Sequence, residues 1–178
     1  MNYKLIMTEG STELAFVNLL LNRGLLVFSK EELLMEQIFH KRQIDGELIG
    51  YIQGIPFSDT VDIYRVGDKL TDTLKIPKSI LKSKIRNKYK VCTLPEFEIL
   101  FILYEDLYEN YLKFKSQKKP SVYYKEYNTS YKKQSSFITS YFSRLTNNDI
   151  ICLINLYVDK RSRSHGKDQL TLKVLIKE

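Results

Sequence analysis

Three pairs of acids in this chain are spaced for metal-assisted chemistry on phosphates: Glu9 with Glu13, Asp68 with Asp72, and Glu96 with Glu98. Carboxylates drawn to one place repel one another unless a cation sits among them. A hard divalent ion answers that need, because it takes oxygen ligands and keeps several waters for a substrate phosphate. Each acid also has an ordinary role open to it. Glu13, Glu96 and Glu98 fall in first turns of expected helices, where they oppose the helix dipole, and Asp68 and Asp72 suit turns. What sets Glu9, Asp68 and Glu96 apart is that each closely follows a short apolar run. Of the last pair, Glu96 is expected to face the site.

Those runs are the expected strands. Residues 3–7 have the length of a buried strand and end in the turn and capping cluster Thr8-Glu9-Gly10-Ser11-Thr12. Residues 61–66, β-branched and aromatic, end at Gly67-Asp68, and a third strand at 89–92 ends at Thr93-Leu94-Pro95-Glu96. Between them, residues 13–22 read as a helix apolar almost all round and stopped by Gly24. Residues 25–28 read as a further short strand. Ser29 with Glu32 forms a capping box for a second helix. Three glycines and Pro56 make residues 45–59 loop-like or broken into short helices. Residues 97–111 read as one amphipathic helix, and residues 150–158 as another, capped by Asn148-Asp149. The tail, 169–176, fits both periods. Alternating short strands and helices predict an α/β fold: a small parallel sheet with helices on both faces, whose binding groups gather at the carboxyl ends of the strands. Residues 1–112 form this core, and residues 113–178 a basic, mainly helical extension packed on it as one compact domain.

Composition narrows the function. With 178 residues and 43% hydrophobic content, the chain can bury a real core. Its net charge of +7 favours polyanionic partners, although only 7 of the 28 bases are Arg, a lysine bias that A/T-rich coding also produces. Cys92 and Cys152 lie in apolar runs and read as reduced core thiols, not as zinc ligands or a disulfide. The amino-terminal segment has no signal-peptide core and no run approaches a membrane span, so a cytoplasmic protein is expected. Between Lys113 and Arg144 there are eight bases and one acid. Lys113, Lys115, Lys118, Lys119, Lys125, Lys132 and Lys133 would neutralise phosphates there, with Tyr123, Tyr124, Tyr127, Tyr131 and Tyr141 free to stack on unpaired bases of RNA or DNA. A solvated basic face with tyrosines packed beneath it is equally compatible with this pattern. No Walker A motif is present, so any ATPase partner is a separate chain.

The run Leu5-Ile6-Met7-Thr8-Glu9-Gly10-Ser11-Thr12-Glu13 resembles the opening motif of Toprim domains, and its Glu-Gly-x-Thr-Glu form is particularly similar to the OLD-family (overcoming lysogenization defect) nucleases. Residues 61–68 resemble the second Toprim strand. Residues 93–98 are similar to the Pro-Glu element of small Toprim-like proteins encoded beside anti-phage defence genes. The resemblance covers about the first hundred residues. It implies Mg²⁺ or Mn²⁺ at Glu9, Asp68 and Asp72, and catalytic roles for Glu9, Glu13, Asp68 and Glu96. It also implies a late cation opposite the leaving group, drawn from Lys160, Arg161, Arg163 and Lys167, with His165 as a proton shuttle or simply a surface residue; Arg161 and Arg163 would also bind nucleic acid. The implied function is a divalent-metal-dependent nuclease, the effector of a defence or toxin-type system, able to form a homodimer or to answer to an ATPase or inhibitory partner. Toprim domains usually carry Asp-x-Asp at the second site, whereas this chain reads Asp68-Lys69-Leu70. That departure motivates the alternative of a non-catalytic binding subunit.

Overall fold

A computed structural model describes residues 1–68, 73–76, 83–161 and 169–177. Five strands form one sheet: β1 (Asn2–Thr8), β2 (Phe39–His40), β3 (Thr60–Gly67), β4 (Ile85–Cys92) and β5 (Gln169–Leu170). Their order is β2-β1-β3-β4-β5, and every pairing is parallel. The expected α/β architecture is therefore the observed one. Alternation along β1 sends Leu5 and Met7 to one face and Ile6 to the other, since successive side chains in a strand point oppositely.

Leu5 and Met7 join Val61, Ile63 and Ile85 beneath α2 (Gly46–Gly54), which supplies Leu48 and Ile52. On the other face Ile6, Val66 and Val91 lie under α1 (Ser11–Asn22) and the helices of the carboxyl-terminal half. These are α3 (Ile99–Tyr104), α4 (Tyr108–Leu112), α5 (Pro120–Tyr127), α6 (Ser135–Ser143) and α7 (Asn147–Lys160). Residues after 113 share this core with the strands before it, and they add β5 to the sheet edge. Among the described residues, no helix is long and apolar enough to cross a membrane.

Several local expectations are corrected. The helix expected over 97–111 is two helices, because Asp106 takes a positive φ of 55° and turns the chain between α3 and α4. Asp tolerates that conformation better than most residues. Residues 25–28 are not a strand: Leu26 makes only an isolated antiparallel bridge to Ile176. The Ser29 capping box is present but opens a single 3₁₀ turn, Lys30–Glu32. In the glycine-containing segment, Asp45 caps α2 by accepting from the Leu48 amide at 3.1 Å, and burial of Leu48 and Ile52, four apart, outweighs the weak helix propensity of glycine. The third expected strand is longer than 89–92, starting at Ile85. The tail takes both forms, a short strand and then a 3₁₀ turn, Leu172–Leu175. Cys92 is a buried core thiol, but Cys152 is exposed. Helix α7 buries Ile150, Leu153, Ile154 and Tyr157, so Cys152 falls on its outer face.

The five tyrosines of the basic segment are mostly core residues. Tyr123, Tyr124, Tyr131 and Tyr141 are buried, and only Tyr127 is exposed. Burial removes those four rings from any stacking on bases. Phe101, fully buried on α3, organises three of them: it stacks on Tyr124 at 4.8 Å and on Phe142 at 5.3 Å, and meets Tyr141 edge-on at 4.7 Å and Tyr131 at 5.7 Å. Such contacts add to the hydrophobic gain of burial. Phe101→Ala should destabilise the fold by about 3–5 kcal/mol, read as a lowered urea midpoint. A loss below about 1 kcal/mol would show that the aromatic cluster is not central to stability.

Candidate functional site

The ends of three strands are tied together by the backbone. The Glu9 amide donates to the Val66 carbonyl at 3.0 Å, and the Thr93 amide to the Gly67 carbonyl at 3.1 Å. Glu9, Asp68 and the turn after β4 thus meet at one edge of the sheet. The chain leaves β1 towards β2 on one side and returns to β3 on the other, so this edge is the topological switch point, where open parallel sheets place their ligand crevice.

Two electrostatic groups occupy the crevice. In the first, a Glu9 carboxylate oxygen lies 3.2 Å from Nη2 of Arg65 and 3.4 Å from Nε of Arg42. Arg65 is buried, and a buried guanidinium requires a partner. Gly67 makes room for this pair: a Cβ there would stand 2.8 Å from Cγ of Glu9. In the second group, Glu98, Asp68 and Glu96 act on the Lys133 ammonium, which in turn acts on Glu13. Glu98 is fully buried, and one of its oxygens accepts from the Tyr131 hydroxyl at 2.5 Å and from Lys133 at 3.3 Å. Its other oxygen, Oε2, has no hydrogen-bond partner in the described protein, nor does the buried hydroxyl of Thr12. Asp68 accepts from the Thr93 hydroxyl at 3.0 Å.

Burial pushes the Glu13 carboxyl up to about 7, and the neighbouring Asp68 and Glu98 carboxylates add to the rise against the pull of its own backbone amide and Lys133. Burial likewise raises Asp68, with Glu98 and Glu96 adding to the effect and Thr93 and Lys133 opposing it. For Lys133, burial disfavours the charge, but Glu98 and Asp68 outweigh it and hold the proton more tightly than usual. A Cβ on Gly10 would lie 2.3 Å from Oε2 of Glu13, so a larger residue there would require the Glu13 carboxylate to shift.

The other expected site residues are dispersed. Glu96 accepts from the Ser121 amide at 3.0 Å, at the start of α5, and still acts electrostatically on Asp68 and Lys133. Glu98 joins it as a second acid of this turn acting on the same two groups. Lys160 is exposed and pairs with Glu109 at 3.0 Å, and Arg161 donates to the Leu170 carbonyl at 3.3 Å. Lys113, Lys115, Lys119, Lys125 and Lys132 are exposed, while Lys118 pairs with Glu126. Asp72, Arg163, His165 and Lys167 lie outside the described residues.

Sequence reasoning missed Arg42, Arg65, Tyr131 and the inward role of Lys133. For Arg65 a signal was present: an arginine inside a strand of otherwise apolar character is expected to be buried, and so to need an acid.

The donor set is compatible with a hard divalent ion. It offers the carboxylates of Glu13 and Asp68 and one buried oxygen of Glu98 without a partner. Among the described residues no three of His, Cys, Asp and Glu are gathered as a metal-holding group. Mg²⁺ commonly binds through one or two carboxylates plus water and phosphate, so Glu13 and Asp68 suffice in kind. Comparison of the chain with protein-family models, with curated proteins and with solved structures finds no match.

The raised Glu13 carboxyl makes a signed prediction. Between pH 4.5 and about 7 the folded state keeps a proton that the unfolded chain has lost, so this group's contribution to stability falls as pH rises through that window and is flat above it. Asp68 acts in the same direction. Glu13→Gln should remove much of the slope and be the more stable form at pH 8 by about 2–3 kcal/mol. Urea unfolding of both proteins at pH 5 and pH 8 measures the difference; equal pH slopes would contradict the assignment.

Proposed function

We propose that the chain is a divalent-metal-dependent nuclease that cleaves phosphodiester bonds in RNA or DNA, acting in the cytoplasm as the effector of a defence or toxin-type system. One observation carries the reading: beyond the carboxyl ends of β1 and β3 the largely buried Glu13 and the partly buried Asp68 act on each other electrostatically, and Glu98 raises the proton affinity of both. The Toprim-like spacing of Glu9, Glu13 and Asp68 supports it, as does the basic surface carrying Lys125 and Lys132.

Glu13 and Asp68 would hold the ion, Mg²⁺ or Mn²⁺. When bound, such an ion polarises a phosphodiester and lowers the pKa of a bound water. Where Glu13 is not a ligand, its proton affinity near neutrality suits it to proton transfer at physiological pH. Arg65 and Arg42 neutralise Glu9 and hold it at the end of β1. Lys133 compensates the acids when no metal is there, and its ammonium can turn to a substrate phosphate, since the stem is largely exposed.

A second reading rests on the same lysine. With Lys133 among the carboxylates and two arginines on Glu9, the charges balance without a metal. That arrangement also suits a non-catalytic subunit that binds nucleic acid or docks on a separate ATPase.

The test is incubation with tRNA, single-stranded RNA and DNA, with Mn²⁺ or with chelator, alongside Mn²⁺ titration followed by electron paramagnetic resonance. The nuclease reading expects chelator-sensitive cleavage, lost at least about 100-fold in Asp68→Asn, and weakened Mn²⁺ binding by that variant. Neither cleavage nor Mn²⁺ binding by the wild type would favour the non-catalytic subunit.

A further inference from the structure

A cavity of about 400 Å³ lies between the turn after β4, α3, α4 and the end of α7. That volume is within the range of small-ligand pockets. Leu94, Pro95, Ile99, Leu103, Tyr111 and Tyr157 make its apolar interior. Tyr157 presents only its ring, because its hydroxyl is spent on the Cys92 carbonyl at 3.1 Å. The charged residues that line it are of one sign, Lys115, Lys160 and Arg161, beside the uncharged polar Ser116 and Tyr108, whose hydroxyl donates to the Lys160 carbonyl at 3.3 Å. Glu109 neutralises Lys160 at 3.0 Å. Arg161 gives Nη1 to the Leu170 carbonyl and is only half-buried, and Lys115 is exposed.

An apolar interior under a cationic mouth selects by two independent terms. Burial of hydrocarbon or ring surface supplies the affinity, and the guanidinium and ammonium groups choose the sign of the head group. A neutral apolar molecule would satisfy only the first term, and a hydrophilic anion only the second. From this charge complementarity we infer that the cavity is a binding site for a small amphipathic anion, an apolar body carrying one anionic head, of which medium-chain carboxylates are the simplest members. The site uses none of the crevice acids, so it stands or falls apart from the nuclease reading.

The probe is decanoate, titrated calorimetrically below its micellar concentration into the full chain, with decyltrimethylammonium, 1-decanol and AMP as comparators. Saturable one-to-one binding of decanoate is expected, at least about 10-fold tighter than either apolar comparator. Ser116→Trp, at an exposed position on the cavity wall, should block binding while leaving the melting temperature unchanged. Lys115→Glu should weaken it about 10-fold and leave 1-decanol unaffected. Equal binding of the cationic and anionic amphiphiles, no saturable decanoate binding, or undiminished binding by Ser116→Trp would overturn the inference. Tighter binding of AMP than of decanoate would also overturn it, assigning the cavity to nucleotide instead.

Discussion

Carboxylates withdrawn from water at one end of a parallel sheet lose hydration and gain one another's repulsion, and much of the architecture answers that cost. Glu98 is fully buried and Glu13 nearly so. Two compensations hold them there. Lys133 brings an ammonium on a long stem from the turn before α6, and Tyr131, from the same turn, donates its hydroxyl to Glu98. Glu13 meets the cost differently, by binding its proton up to near neutral pH. A buried acid either finds a partner or gives up its charge, and this crevice does both within one cluster.

That arrangement explains why the basic segment is ordered as it is. Its tyrosines could have formed an exposed stacking surface, but three of the five are packed around Phe101, Phe137 and Phe142, and Tyr123 is buried against Tyr111 and Phe114. The packing anchors the turn that carries Tyr131 and Lys133, and so brings a cation from the carboxyl-terminal half to acids from the amino-terminal half. The two halves share a single core, and β5 extends the sheet that begins at Asn2. Lys113, Lys115, Lys119, Lys125 and Lys132 remain exposed on the surface. Arg65 follows the same logic inside the sheet. It lies in β3 next to β1, where the Glu9 carboxylate neutralises it, and Gly67 keeps the space between them open.

Local patterns made much of the fold legible. Three strands, the α1 and α7 helices and the Ser29 capping box follow from period, propensity and capping residues, all of which act over a few neighbours. The failures were of a different kind. The break at Asp106 turns on one backbone angle, α2 forms across glycines because its buried side needs Leu48 and Ile52, and the two-residue strands β2 and β5 exist only because longer strands offer them a partner.

The sequence by itself determined which acids end which strands, since strand length and turn chemistry are local: Glu9 after β1 and Asp68 after β3. Only the tertiary structure decided what those acids meet. It added Glu98 to Glu96 beside Asp68, brought Lys133 to them, and paired Glu9 with Arg65, 56 positions away in the chain. The reason is physical. Ion pairing and desolvation depend on distance and burial in three dimensions, and neither is encoded in the spacing of residues along the chain.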